Sequence, residues 1–458
     1  MTRDWKRTGK HLGLLLVWAV LAGCGPEEDA SRPVQDGDTL GASAKADSRG
    51  ETRWVRRVHS AGEADTPVAV VHDAQGNVLM LGNYHTPVDL GEGPEGNPAG
   101  ATVLSVSRYS PGGGLQWTRI LSAPPRAGTS PYVRGQALAV DSHGALLLLG
   151  LQSGGLELGG SVLPPGAFLA RLEVNGTPSW ARPLPTSATE LAVDERGNLT
   201  LAGVLSGRVD FGKGPITGTG NPYLVQFDAA GALRWVYVDS ARGVPMDLAQ
   251  DDAGNFYLSG GGFLPPSPLL SPFVTRVSSE GEYLWTRRLE GASGLAMSVA
   301  AHGGHVVVSG SFTGTLVFRG ETLRAPTARG FALAYDRDGN ERWGFLLGSS
   351  WGLVAMDQGS GVVVAGRYNG GEDFGLGQGA LEGFPGTNNL YVLRLQRTTG
   401  QLQWMHSYPS ASAQPADLSV TRQGLAALTG TFRARVDFGT GPMDPLPGGN
   451  AFLLQLER

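Results

Sequence analysis

ELAVDERGNLTLAGVLSGRVDFGKGPITGTGNPYLVQFDAAGALRWVYV, residues 190–238, is the stretch whose reading decides the fold. Short apolar runs alternate with clusters of Gly, Asp, Asn and Pro, the pattern of strands joined by turns. No apolar stripe recurs every three to four residues, as a helix would require. The first run meets the second at Asp194-Glu195-Arg196-Gly197-Asn198, where glycine supplies a positive φ and Asp or Asn bonds its own backbone. The third meets the fourth at a second turn, AAGALRW, which ends on Trp235.

The same pieces recur in the same order along the chain. The first junction reappears as DAQGN (73–77), DSHGA (141–145) and DDAGN (251–255), and more loosely as AHGGH (301–305), DQGSG (357–361) and TRQGL (421–425). The second reappears as NGTPSW, SEGEYLW, RDGNERW and TTGQLQW. Tryptophans in this frame stand at 54, 117, 180, 235, 285, 343 and 404, with spacings of 63, 63, 55, 50, 58 and 61 residues. In four repeats an aromatic lies 12 residues earlier (Phe168, Tyr223, Phe273, Phe331), and in a fifth Tyr391 lies 13 earlier. A constant-length hairpin would give that separation and would pin the two rings relative to each other across the pair.

Four strands per unit, one tryptophan each and a period near 60 residues are the signature of an all-β fold, the β-propeller. The second-strand runs NVLMLG, ALLLLG, NLTLAG, NFYLSG, HVVVSG, GVVVAG and LAALTG number seven, so seven four-stranded blades are expected. The last unit reaches Arg458 at its third strand, AFLLQLE (451–457), whereas ETRWVRRV (51–58) precedes the first unit as a strand without a partner. The surplus strand fits the missing place, so the ring is expected to close by pairing the N-terminal strand into the last blade. The unit resembles bacterial propeller-repeat proteins of the form AVDxxGN…DFGxG…FxxxLxxxGxxxW, carried here by LAVDERGNLTLAGVLSGRVDFGKGP with PYLVQFDAAGALRW and by LAALTGTFRARVDFGTGP with AFLLQLE. The resemblance covers 51–458 and is poorest in the fourth repeat, where GGGFLPPSPLLSP replaces the Asp-Phe-Gly segment. It implies an exported propeller.

Ahead of the repeats, MTRDWKRTGKHLGLLLVWAVLAGC has a basic start, an apolar run from Leu12 to Ala22 and small residues before Cys24. That is the composition of an export signal, too short to span a membrane. Leu21, Ala22, Gly23 and Cys24 resemble the lipobox of bacterial lipoproteins at every position. The resemblance implies cleavage after Gly23, a diacylglyceryl Cys24 and an acylated new amino group, hence an anchor in the membrane. Gly25 in place of Asp implies the outer membrane of the cell envelope under the enteric sorting rule. Residues 24–50 hold no aromatic and read as a flexible stalk reaching roughly 30 Å. The domains expected are thus the signal 1–23, the acylated stalk 24–50 and the propeller 51–458.

The whole chain has 36 Lys and Arg against 41 Asp and Glu. Four of the former and one of the latter lie in 1–23, which leaves −8 beyond them. With no basic run, nucleic acid is not an expected partner. Cys24 is the only cysteine, so no internal disulfide or cysteine-based metal site can form.

The first-to-second and third-to-fourth turns are short and share one end of a propeller. The longer connections 85–100, 152–166, 206–221, 262–271, 313–329, 369–388 and 433–449 leave from the other, where a protein or glycan partner is expected. The segments VDLG (88–91), VDFG (209–212), EDFG (372–375) and VDFG (436–439) put carboxylates around a ring, but the repeat itself accounts for them: Asp caps a turn, Phe packs between blades and Gly takes positive φ. Asp336-Arg-Asp338-Gly339-Asn340 begins like an EF-hand loop, yet Leu347 stands where the bidentate Glu belongs, so a hairpin turn is expected. His302-Gly-Gly-His305 has no acid or thiolate near it in sequence and reads as an exposed turn. LRLQRTTGQLQW (393–404) also resembles the tryptophan-docking repeats of quinoprotein dehydrogenases and of a propeller lipoprotein that assists outer-membrane barrel assembly. The first would imply a quinone and Ca²⁺, for which no ligand set is identifiable. The expectation is therefore a binding or scaffolding module with no catalytic residue, metal or cofactor, the quinoprotein-like oxidoreductase being the alternative.

Overall fold

The computed structural model describes residues 49–60, 66–85, 87–90, 94–95, 102–124, 131–263, 269–349 and 351–458. The signal, Cys24 and the stalk up to residue 48 lie outside them. Among the described residues every element is a strand, and none is a helix.

Seven four-stranded antiparallel blades form the ring, and the sheet of the last is extended beyond Thr52–Ser60 by the short strands Val88–Asp89 and Pro94–Glu95. Blade 1 is Thr66–His72, Val78–His85, Thr102–Tyr109 and Leu115–Leu121. Blade 2 is Val133–Val140, Leu146–Gln152, Gly166–Leu172 and Pro178–Pro183. Blade 3 is Glu190–Val193, Leu199–Asp210, Pro215–Phe227 and Leu233–Val238. Blade 4 is Gly243–Gln250, Phe256–Phe263, Leu270–Val277 and Tyr283–Arg288. Blade 5 is Ala292–His302, His305–Phe318, Glu321–Asp336 and Glu341–Leu346. Blade 6 is Gly352–Met356, Gly361–Tyr368, Asn389–Gln396 and Leu402–Tyr408. Blade 7 is Ala413–Val420, Ala426–Phe432, Gly449–Leu456 and, from the other end of the chain, Thr52–Ser60. The seven-bladed fold with N-terminal closure is as the repeats require.

The second and third strands are apolar on both faces because each face looks onto a neighbouring blade. In blade 1, Leu79 and Leu81 pack with Leu146 and Leu148 of blade 2, while Val78 and Met80 pack with Ala427 and Leu453 of blade 7. Seven such clusters fill the seven gaps, so the core is itself a ring. This explains runs such as NVLMLG that do not alternate with polar residues.

The tight turns are built as expected. Asp194 Oδ1 accepts the Arg196 and Asn198 amides at 2.9 and 2.8 Å, and Gly197 has φ 79°. The hairpin separation of aromatic and tryptophan is real, but its consequence differs from the expectation. Tyr223 pairs with Val238 and Trp235 with Gln226, three residues away along the strand. An odd offset sends the two rings to opposite faces of the sheet.

Tryptophan instead faces the next blade. The indole N–H of Trp54, Trp117, Trp235, Trp285 and Trp343 donates to a carbonyl in the following blade's third-to-fourth turn, at 2.8–3.0 Å. Two residues on, Arg56, Arg119 and Arg287 donate Nε to the glycine carbonyl of the same turn at 2.7, 3.1 and 2.7 Å. At the seam the pattern persists although the turn is missing. Glu457 N–H donates to Glu51 O at 2.8 Å, as Asp336 N–H donates to Asn340 O in a complete hairpin. Gly50, at φ 77°, takes the place of the turn glycine. The two ends of the ring therefore meet at the end of the molecule that carries the tight turns.

The long connections leave from the opposite, open end but do not all stay there. In blades 2, 3, 5 and 7 they run back as hairpins along the outer strand of the same blade. Gly159 lies against the Trp180 backbone, Lys213 Nζ donates to Arg234 O at 3.2 Å, Arg319 N–H donates to Glu341, and Thr52 donates its hydroxyl to Phe438 O. All four partners stand within the first three residues of an outer strand. These flaps cover an edge that would otherwise present unpaired backbone groups.

Candidate functional site

Two regions collect chemistry, the axial channel and the open end around its mouth. First strands line the channel, and three of their polar residues come from one recurring position, just after a bulge. Asp247 follows the bulge in Gly243–Gln250, Asp417 that in Ala413–Val420 and Ser298 that in Ala292–His302. Each reaches the next blade's first strand, whose inner edge has unpaired amides. Asp247 Oδ2 accepts the Val299 amide at 2.8 Å and the Ser298 hydroxyl at 3.0 Å; Asp417 Oδ2 accepts the Val70 amide at 2.7 Å; Ser298 Oγ accepts the Val354 amide at 3.1 Å. A space of about 290 Å³ lies among Asp247, Ser298, Met356, Asp417 and Ser419. Glu190, paired with Ala202 as Asp247 is with Ser259, holds the equivalent place in blade 3.

Enclosure in the channel raises all three carboxyls. Asp417 is pushed up to about 7, chiefly by burial, with the Val70 and Leu418 amides opposing and Asp247 adding to the rise. Burial likewise raises Asp247, and Glu190 goes well above the usual range through burial and then the charges of Asp247 and Asp417. His72 is driven the other way, down to about 4, by burial that outweighs the attraction of Asp73. Its Nδ1 lies 3.0 Å from Ser419 Oγ and its Nε2 3.4 Å from Gln455 Nε2. A serine against an imidazole is half of a nucleophilic arrangement. Here, though, the second ring nitrogen meets an amide in place of a carboxylate, and a histidine this hard to protonate is a weak base. What the set does is tie blades together at the axis.

The EF-hand-like segment is a hairpin turn that uses its own ligands. Asp336 Oδ1 accepts the Asp338 and Asn340 amides and Oδ2 accepts Asn340 Nδ2, each at 2.9 Å, with Arg342 2.7 Å away. Burial favours the protonated carboxyl, but those bonds and the arginine outweigh it and hold Asp336 below its usual range. The Asp-Phe-Gly segments are turn caps with a buried ring. Asp210 Oδ1 accepts the Gly212 and Gly214 amides at 2.7 and 3.1 Å, Asp437 repeats this with Gly439 and Gly441 at 2.7 and 3.0 Å, and Phe438 is fully buried. The histidine turn differs from expectation. His302 is not free of acids, since Asp252 in the preceding blade's first turn lies 2.5 Å from its Nδ1 and also accepts the Gly303 amide. Residues 50 positions apart in sequence gave no sign of the pair. Among the described residues no three His, Cys, Asp or Glu side chains are placed to hold a metal ion. Leu21, Ala22, Gly23 and Cys24 lie outside the described residues.

The open end carries an apolar surface. Ten large apolar side chains are exposed among the described residues, and five of them, Tyr132, Phe263, Leu269, Phe384 and Leu446, stand there. Arg134 lies over Tyr132 at 5.6 Å and Arg242 over Phe263 at 5.9 Å. Aromatic and arginine side chains in such company are the residues that dominate protein interfaces.

No family model matches the chain, and no curated protein does. Solved structures do resemble it. A chain in the crystal structure of a mitotic checkpoint complex aligns with TM-score 0.50 and 11% identity over 94% of this chain and 100% of that one. The Dos1 propeller aligns at 0.46 and 10% identity, and the Neurospora crassa Pan2 WD40 domain at 0.45 and 9%, each over 90% of this chain and 96% of its own. At 11% identity the first of these likenesses is one of fold alone, and the seven blades themselves make the chain a β-propeller.

Proposed function

We propose that the protein is an exported lipoprotein of the cell envelope, anchored through acylated Cys24 in the outer membrane, whose propeller binds a protein or glycan partner at its open end. The observation that carries the binding reading is the gathering of half of the exposed large apolar residues at that end, two of them capped by arginine. The anchor reading rests on Leu21-Ala22-Gly23-Cys24 after an apolar run. The chain enters the described ring at Gly50 beside the tight turns, at the end opposite the exposed apolar residues.

Two experiments test it. Cys24→Ser should move the protein from the membrane to the soluble fraction, and retention in the membrane defeats the anchor. Partners should be captured by the wild-type ring and lost from the combined Tyr132→Ser, Phe263→Ser and Leu269→Ser variant at unchanged melting temperature. Glycan-array binding without protein capture would select the glycan, and equal capture by both forms defeats the open-end assignment.

A further inference from the structure

Blade 4 departs from the other blades at its outer edge. Only residues 264–269 separate its second strand from its third, against 153–165 in blade 2, whose connection folds back over its own outer strand. Tyr283 and Leu284, which open the outer strand Tyr283–Arg288, are 56% and 42% exposed. The residue before the docking tryptophan is polar in the other six blades (Arg53, Gln116, Ser179, Arg234, Arg342 and Gln403), and only here is it a large apolar one. One edge of Tyr283–Arg288 pairs with Leu270–Val277, and no described strand pairs with the other.

A cationic crevice of about 530 Å³ adjoins that strand, lined by Arg287, Arg319, Gly339, Asn340 and Glu341. Arg287 is held in place by its bond to Gly339 O and lies over Trp285 at 5.5 Å. Arg319, at the tip of the blade 5 flap, has φ 53° and is the one non-glycine residue with positive φ among those described. Gly159, Gly212, Gly375 and Gly439 stand at the same place in other blades. A side chain in that conformation is strained. What it adds is a guanidinium that no acidic side chain pairs with among the described residues. Two cations thus face the single carboxylate of Glu341, which is already engaged with the Arg319 amide.

We propose that the outer strand of blade 4 is a strand-addition site for an extended acidic segment of a partner protein. The segment's backbone pairs with the free edge at Tyr283–Thr286, an apolar side chain covers Leu284, and a carboxylate enters the crevice between Arg287 and Arg319. Charge decides against a second copy of this chain as the occupant. A two-fold edge-to-edge dimer would place both cationic crevices on the same side of the joined sheet, where they repel. The site is distinct from the open end and stands or falls separately.

The test uses the full chain and a fluorescein-labelled probe, an octapeptide of alternating Thr and Val with one central Glu, read by anisotropy. Binding is expected, weakened about tenfold by a Glu-to-Lys change in the probe. N-methylation of alternate probe amides should abolish it. Leu284→Lys should remove binding, and Arg319→Gly should erase the preference for Glu while leaving the melting temperature equal or higher, which separates loss of the site from loss of the fold. Failure of the wild type to bind, equal affinity for the Glu and Lys probes, or insensitivity to Leu284→Lys overturns the proposal. So does concentration-dependent dimerisation of the wild type that Leu284→Lys abolishes.

Discussion

Gly50 rests on the indole of Trp404 as Gly400 rests on that of Trp343: a Cβ added at either glycine would come within 2.8 Å of the ring. The seam is thus a hairpin whose turn has been cut open, with both ends of the ring still docked on blade 6. His406 completes the likeness, since its Nε2 lies 3.1 Å from Arg49 O, where other blades use arginine on a turn carbonyl.

Gly50→Ala should therefore weaken closure in two ways, through a positive φ and through the clash with Trp404. The expected loss is about 2–4 kcal/mol, against about 1 for Gly441→Ala, where φ is also positive but the space is open. Thermal melts of both variants decide it. Equal melting temperatures would mean that the seam does not hold the ring. Deleting 51–58 should be far more damaging, because it also removes Trp54 and its bond to Pro111.

Two buried ion pairs brace the turns of blades 1 and 6. Arg108 meets Asp73 and also donates to Val174 O of blade 2 at 2.8 Å, while Arg394 meets Asp357 and donates to Gln403 at 2.9 Å. Removing one member strands a buried charge. Asp357→Leu should cost about 3–5 kcal/mol, and the double variant with Arg394→Met should recover most of it. Denaturant melts of the four members of the cycle give the coupling. Additive losses would show that the pair is not coupled in the folded ring.

Blade number, strand order and closure were legible because the repeat is written in residues with one physical job each: apolar runs for the interblade gaps, Asp and Gly for the turns. The interblade ties were only half legible. Trp-x-Arg recurs at Trp54, Trp117, Trp180 and Trp285, and Pro-x-Asp-Leu recurs at 245–248 and 415–418, yet neither pattern says which blade it reaches. The direction of the flaps, the action of the Asp247 and Asp417 charges on Glu190, and the Asp252–His302 pair depend on how strands far apart in sequence are brought around the ring. No local pattern encodes that.

The channel carboxyls give the ring an unusual pH dependence. Asp417 has its folded pKa near 7 against 3.8 for the free side chain, and Asp247 and Glu190 are also raised. A carboxyl that binds its proton more tightly when folded adds stability as pH falls through the folded value. That gain is complete only below the unfolded one, at up to about 1.4 kcal/mol per pH unit for each proton. His72 acts in the opposite sense: with a folded pKa near 4 against 6.5, its unfolded form takes up a proton the folded form refuses, so stability falls between pH 6.5 and 4. The window from pH 8 to 6.5 isolates the carboxyls. There the melting temperature should rise as the medium is acidified, and Asp417→Asn, which keeps an acceptor for the Val70 amide, should flatten that rise. Below pH 6.5 the histidine opposes it, so the curve should bend, and His72→Gln should straighten it. A wild-type melting temperature that falls from pH 8 to 6.5 would contradict the raised carboxyls. An Asp417→Asn curve parallel to the wild type would remove Asp417 as their source.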